Sequence, residues 1–378
     1  MSGHGQDVGS GSEHESGSEH ESGSDTGTGS DTGTGSEHEA GSEREAGTPG
    51  AATDVAGLDL VTGAFGNTGS VIASLLLAQG RRVRTLTNHA ETQPDAQSSR
   101  QLIDVHRHAF GDPDQLAEAF AGVTTFYNTF WMRTGDGGGR RRGGDPYATA
   151  VSRSDELITA ARRAGVKRIV HLSVANPGAQ SPYAYFRGKA AVEQSLRRSG
   201  IPTVIIRPAL IFGGDAVLIN NLAWFLRRAP VFAVAGDGKY MVRPVHVDDV
   251  ARLAVEHGMP DGMPDGMPES DTPENVTVID AVGPMRLSFI DLVTMIRDLV
   301  GGRARILRLP AAVVLASSRV IGAVLRDQLL TRDELLSTID GLADTEGPAT
   351  GTVVLTDWLE QHATELGRSY INEKRRRA

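Results

Sequence analysis

The chain has 378 residues and no cysteine, which excludes disulfides and thiolate metal sites. Its first fifty residues are nearly devoid of large apolar side chains, so nothing there reads as a signal peptide. Long hydrophobic runs are also missing. The longest near the C-terminus, Ala311 to Leu325, is short and broken by Arg319, which favours a packed helix over a membrane span. Basic charge is scarce at the N-terminus, where residues 1–54 carry twelve acids and one arginine; their net of −11 within the chain's −9 leaves +2 for the other 324 residues. The acidity therefore belongs to that tail, and the remainder has no nucleic-acid signature. Built from Gly, Ser, Thr, Glu, Asp and His, the tail cannot bury enough apolar area to offset chain entropy and reads as disordered. His14, His20 and His38 recur in it among glutamates, a composition that suits loose metal binding but reads first as solvated linker. The whole chain is 39% hydrophobic, which is ample for a sizeable core, and a cytoplasmic location is expected.

What is present begins with glycine. Leu58 to Thr62 reads as a short buried strand and Ser70 to Gln79 as a helix with an apolar face, separated by Gly63-Ala-Phe65-Gly66-Asn67-Thr68-Gly69. Residues without a Cβ let a ligand's phosphates approach the backbone. The helix start then offers free N–H groups and partial positive charge to a pyrophosphate. Glycine turns alone are common. Strand before, helix after and a second strand at Arg82 to Thr87 give this one weight.

Tyr185 and Lys189 stand four apart, so on a helix they share a face. A phenol with an ordinary pKa near 10 shuttles protons poorly at neutral pH, and an adjacent ammonium favours its phenolate. The same spacing also serves a plain amphipathic packing pair. Ser173 ends the strongly apolar strand Arg168 to Ser173, where α/β sheets expose ligand-facing tips.

Together, Thr62-Gly-Ala-Phe-Gly-Asn-Thr-Gly69 and Tyr185-Phe-Arg-Gly-Lys189 resemble the extended or atypical short-chain dehydrogenases/reductases, from Leu58 nearly to the C-terminus. The turn is also similar to those of complex I 39 kDa subunit relatives and NmrA-like proteins. The resemblance implies Tyr185 as general acid/base, Lys189 as pKa modifier and ribose ligand, and Ser173 as the hydroxyl orienting a substrate carbonyl. It implies cofactor contacts from Gly63, Phe65, Gly66, Asn67, Thr68, Gly69, Asn88, Asp112, Asn128, Lys189, Arg207 and Pro208. Asp112 equally suits a helix N-cap, and Arg207 a structural ion pair. Stretches around Trp224, Gly236 to Tyr240 and Pro244 to Ala251 resemble bacterial epimerase/dehydratase-like members, which makes Trp224, Tyr240 and His246 pocket candidates. His246 on an apolar strand is more often a hydrogen-bonded core residue.

An NAD site commonly places an acid after the second strand; here Thr87, Asn88 and His89 occupy that place, with no acid before Glu91. With Arg82 and Arg84 close by, NADP (as NADPH) is favoured over NAD.

The expected architecture is a Rossmann-type, doubly wound parallel α/β sheet on strands near residues 58, 83, 104, 124, 168, 204 and 245. Residues 55–212 form the NAD(P)-binding domain, with a returning strand near 242–248, and 213–378 a smaller, mostly helical substrate-side region over the crevice. The insert Gly135 to Gly144, with Arg140, Arg141 and Arg142, and the Gly-Met-Pro-Asp repeat of Gly258 to Pro268 read as loops. Ser288 and Thr331 read as helix caps, and Lys374 to Arg377 as a basic tip. The function expected is an NAD(P)(H)-dependent oxidoreductase acting on a small carbonyl or alcohol. The alternatives are a non-catalytic NADPH-binding structural, assembly or sensor protein, and a sugar-nucleotide-type epimerase or dehydratase. Homodimer formation through paired helices is common in this fold.

Overall fold

Four consecutive buried residues, Leu58–Val61, form strand β1 in the interior of the sheet. A strand covered on both faces is apolar throughout, and Asp59 is the exception. Burial pushes its pKa up, and Arg81 answers the charge from 2.6 Å through Nη2. The computed structural model describes residues 57–87, 102–107, 110–132, 145–214, 217–259, 275–327 and 329–372. The tail, Asn88, the Gly135–Gly144 insert, most of the Gly-Met-Pro-Asp repeat and the basic tip lie outside them.

After β1 the chain alternates: α1 (Asn67–Ala78), β2 (Arg82–Thr87), β3 (Ile103–Arg107), α2 (Pro113–Phe120), β4 (Val123–Asn128), α3 (Pro146–Arg163), β5 (Arg168–Leu172), α4 (Ala184–Ser199) and β6 (Thr203–Pro208). Then come β7 (Leu210–Phe212), α5 (Val217–Arg228), β8 (Val231–Ala235), β9 (Met241–Val242), β10 (Pro244–His246), α6 (Val247–Gly258) and β11 (Val276–Ala281). The chain continues with β12 (Leu287–Ser288), α7 (Phe289–Leu299), β13 (Arg305–Leu309), α8 (Ala311–Leu325), α9 (Arg332–Ile339) and α10 (Leu355–His362).

Seven strands make one sheet in the order β11-β6-β5-β4-β1-β2-β3, every neighbouring pair parallel. Strand order reverses between β1 and β4, which opens a crevice at their carboxyl ends. Ile72 and Leu76 of α1 and Val250 and Ala254 of α6 fill one face. Leu116, Phe120, Leu157, Val192 and Leu196 of α2, α3 and α4 fill the other. A third core joins α5, α7 and α10 through Leu226, Ile296 and Leu359.

Two expectations are corrected. The seventh strand is β11, whereas residues 244–246 pair with β7 in a separate two-stranded sheet. The apolar stretch cannot by itself distinguish them, since both segments suit a buried strand. Helix α8 spans the expected Ala311–Leu325, yet only Val314 and Gly322 in it are buried; it lies on the body instead of within it. Among the described residues no helix is long and apolar enough to cross a membrane.

The predicted caps are present: Ser288 accepts from Asp291 N–H at 3.3 Å, and Thr331 and Glu334 form a reciprocal capping box.

Candidate active site

Helix α1 starts as close to the strand tips as backbone allows. Gly63 takes φ +67°, a left-handed conformation glycine enters without strain, and its carbonyl accepts from Gly66 N–H at 2.8 Å. A Cβ on Gly69 would stand 2.1 Å from Gly63 O, so any side chain there would force the turn apart. Thr129 N–H donates to Thr62 Oγ1 at 2.9 Å and the Thr129 hydroxyl donates to the Thr62 carbonyl, knitting the β1 and β4 tips together. Buried Asn128 accepts from Phe130 N–H at 3.1 Å. No side chain caps α1 through Gly66, and the start of the helix carries the positive end of its dipole. That cradle fits a dinucleotide pyrophosphate, with Gly63, Phe65, Gly66, Asn67, Thr68 and Gly69 around it.

Across the crevice, α4 carries Tyr185 and Lys189 in its first turns. The Lys189 ammonium is buried, donates to Leu172 O at 2.8 Å and lies 4.4 Å from the centre of the Trp131 ring. Tyr185 meets the same ring edge-on, centroids 5.6 Å apart, and Tyr147 stacks on Trp131 at 6.1 Å. Gly188 admits the indole, because a Cβ there would come within 3.0 Å of it. Tyr185 and Lys189 are thus gathered on one aromatic wall. Burial lowers the Lys189 pKa from 10.5 to about 7, against the pull of Glu193. His171, on β5, is held far below its usual pKa by burial and by Lys189, so it stays neutral.

Ser173 is engaged elsewhere. Its hydroxyl donates to Glu193 Oε1 at 2.6 Å, and Glu193 accepts from Arg207 Nε and Nη2 at 3.0 and 2.6 Å. Of the two readings of Arg207, the ion pair is the one present. Glu193, Trp131 and Tyr147 were missed from sequence. Glu193 was legible, since it lies four residues beyond Lys189 on the same helical face; nothing local marks the two aromatics, which arrive from other elements.

Asp112 caps α2, accepting from Asp114 and Gln115 N–H at 3.1 Å each. Pro208 ends β6, and its carbonyl accepts from Ala175 N–H at 2.9 Å. Arg84 gives its charge to Asp104 at 2.7 Å and its Nη1 to the Ala119 and Ala121 carbonyls at 2.9 and 3.1 Å. It therefore closes the end of α2 and lends no support to a 2′-phosphate site.

The three pocket candidates are not brought together: among the described residues their ring contacts fall in separate clusters. Trp224 packs on Phe225 and Tyr370, and Tyr240 stacks on Phe289. His246 lies between Phe212 and Trp358. Its Nδ1 accepts from Asp248 N–H at 3.2 Å, capping α6, and burial lowers its pKa. From the C-terminal part, Leu336 and Leu342 pack against the small cluster of Val174, Tyr183 and Phe186, which Tyr185 also joins. Beside them the Tyr183 hydroxyl donates to Asp340, and Ala184 N–H donates to Asp333 at 3.2 Å.

A family described as NAD(P)H-binding matches residues 63–256, from the glycine elbow through α4 and its wall to α6. The chain belongs to the NAD(P)H-binding family. It has a seven-stranded parallel sheet of Rossmann type, covered by helices on both faces. It is 26% identical over 222 residues to the 4-hydroxy-2-methyl-3-oxo-4-farnesyl-3,4-dihydroquinoline-1-oxide ketoreductase of Stigmatella aurantiaca, covering 52% of this chain and 64% of that protein. It is 35% identical over 99 residues to NADH dehydrogenase (ubiquinone) 1 alpha subcomplex subunit 9, mitochondrial, of Mus musculus, covering 25% of this chain and 26% of that protein. The chain thus spans less than two-thirds of either relative. In structure it is similar to the Citrobacter sp. triphenylmethane reductase complexed with NADP(H), with a TM-score of 0.61 at 16% identity over 81% of this chain and 99% of that one. The NADPH-dependent quinone oxidoreductase QOR2 of Escherichia coli gives 0.61 at 19% identity over 80% and 99%. At such identities these likenesses speak for the fold alone.

Proposed function

We propose that this NAD(P)H-binding protein interconverts a small carbonyl compound and its alcohol, with Tyr185 exchanging the proton at the substrate oxygen. The observation that carries this is the meeting of Tyr185 and Lys189 on Trp131, beside the ends of β4 and β5. When bound, the nicotinamide supplies or accepts the hydride. Lys189 tunes the Tyr185 phenol electrostatically and holds the ribose, while Trp131 and Tyr147 exclude water from the reacting oxygen. Residues 55–212 bind the cofactor and 213–378 form the substrate side. NADPH is favoured over NADH because Thr87 to Ala90 contain no acid to repel a 2′-phosphate. The name of the Stigmatella relative, a ketoreductase, is in keeping with carbonyl chemistry.

Tyr185→Phe is expected to abolish turnover across a carbonyl panel while NADPH affinity, read by fluorescence titration, is unchanged. Full activity in that variant would sink the mechanism.

A second reading, NADPH binding without catalysis, draws on Ser173: its hydroxyl is committed to Glu193 and is not presented to a substrate carbonyl. Under that reading NADPH raises the melting temperature and no member of the panel oxidises it.

A further inference from the structure

Helix α8 carries the sequence AAVVLASSRVIGAVL, and most of that apolar surface faces water. Val313, Val320, Ile321 and Val324 are exposed at 47, 67, 40 and 78%. Positions 313, 320 and 324 recur at helical spacing, so they form one stripe along the helix. Single exposed apolar side chains are ordinary, but a contiguous stripe marks a surface that something covers.

The charge around the stripe says what. On β13, exposed Leu307 lies between exposed Arg305 and Arg308. Toward the C-terminal end of α8, a cleft of about 530 Å³ against α9 is lined by Ser318, Arg319, Arg326, Asp327, Thr331 and Arg332. Its one acid is occupied, because Asp327 is buried and accepts from the Tyr370 hydroxyl at 2.6 Å. Among the described residues none of these five arginines is drawn into an ion pair.

We propose that α8 and this cleft dock the protein on an anionic phospholipid surface. The valines enter the acyl boundary, and Arg319, Arg326 and Arg332 hold headgroup phosphates. Fifteen residues reach only ~22 Å, short of the ~30 Å hydrocarbon core, so the helix lies on the bilayer. Two other occupants fit less well. A second copy would set one arginine-rimmed face against another. The acidic residues 1–54 could neutralise the arginines, but with a single valine and a single methionine they cannot cover the stripe.

The test is flotation of the full chain with phosphatidylcholine vesicles, plain or one-third phosphatidylserine. Binding to the anionic vesicles alone is expected. The double variant Val320→Asp, Val324→Asp should lose it, with an unchanged melting temperature because both side chains are exposed. Each arginine near an anionic surface strengthens partitioning about fivefold, so Arg319→Gln, Arg326→Gln, Arg332→Gln together should weaken it roughly a hundredfold. Equal binding to both vesicles, no binding to either, or binding indifferent to both variants overturns the proposal. A dimer in sedimentation equilibrium that the valine variant dissociates, without vesicle binding, would assign the face to a second copy and overturn it too.

Discussion

Replacing Lys189 with Met separates the cost of burying its charge from the value of its shape. In the folded chain the ammonium titrates at about 7 in place of 10.5, because burial penalises the charged form. Between those pH values the unfolded chain holds a proton that the folded chain has released, so stability rises with pH across that window. Below about pH 7 both states are protonated, and folding bears the whole penalty, on the order of 5 kcal/mol at ~1.4 kcal/mol per pH unit. Two effects offset it. Contact of the ammonium with the Trp131 ring returns about 0.5–2 kcal/mol, and the variant forfeits the hydrogen bond to Leu172, worth about 1 kcal/mol. Lys189→Met should therefore be more stable than the parent by about 2–3 kcal/mol near pH 6, and the advantage should vanish toward about pH 9. Urea titrations of both proteins at several pH values read this directly. A difference that stays flat with pH would refute the reasoning, because a lysine with an ordinary pKa contributes no such slope.

Gly69→Ala should reduce stability by about 1–3 kcal/mol and weaken NADPH binding more than tenfold, since its Cβ would meet Gly63 O at 2.1 Å; calorimetric titration and thermal melting check both. Glu193→Ala should cost about 3–5 kcal/mol by stranding the Arg207 charge, whereas Glu193→Gln should cost less, as urea denaturation would measure. Thr331→Ala should cost about 1 kcal/mol through loss of the capping box. Hydrogen exchange should then rise in α9 and also in the first turn of α4, which Asp333 and Asp340 hold; a rise confined to α9 would contradict that linkage.

The legible parts were those decided locally. The elbow, the alternation of strands and helices through β6, and the caps at Asp112, Ser288 and Thr331 follow from glycine geometry, hydrophobic period and capping chemistry, each a matter of a few consecutive residues. Tyr185 and Lys189 were legible for the same reason, being one helical turn apart. Trp131 and Tyr147, by contrast, reach the wall from the end of β4 and the start of α3, and only the packing of α3 on α4 brings them together. The seventh strand was misread because residues 244–246 and 276–281 are both short apolar runs; pairing of β11 with β6 across six residues outcompetes the three available to β10. Exposure of α8 was hidden too, since an apolar sequence reports what a helix prefers and not what the fold has left to cover it.

Helix α9 connects the two halves of this argument. Its N-terminus, Thr331 and Arg332, forms one wall of the arginine cleft. Its Asp333 accepts from the first peptide of α4, and Leu336 packs against the same Val174, Tyr183 and Phe186 cluster as Tyr185. An element of eight residues is too short to have a stable interior of its own, so its position depends on what both ends touch. A ligand that draws Arg319, Arg326 and Arg332 together would act on the same helix that holds Tyr183 and the first peptide of α4, one residue before Tyr185. The surface proposed for lipid and the phenol proposed for proton transfer are therefore joined by one short helix, through which occupancy of the cleft would bear on the order of the catalytic wall.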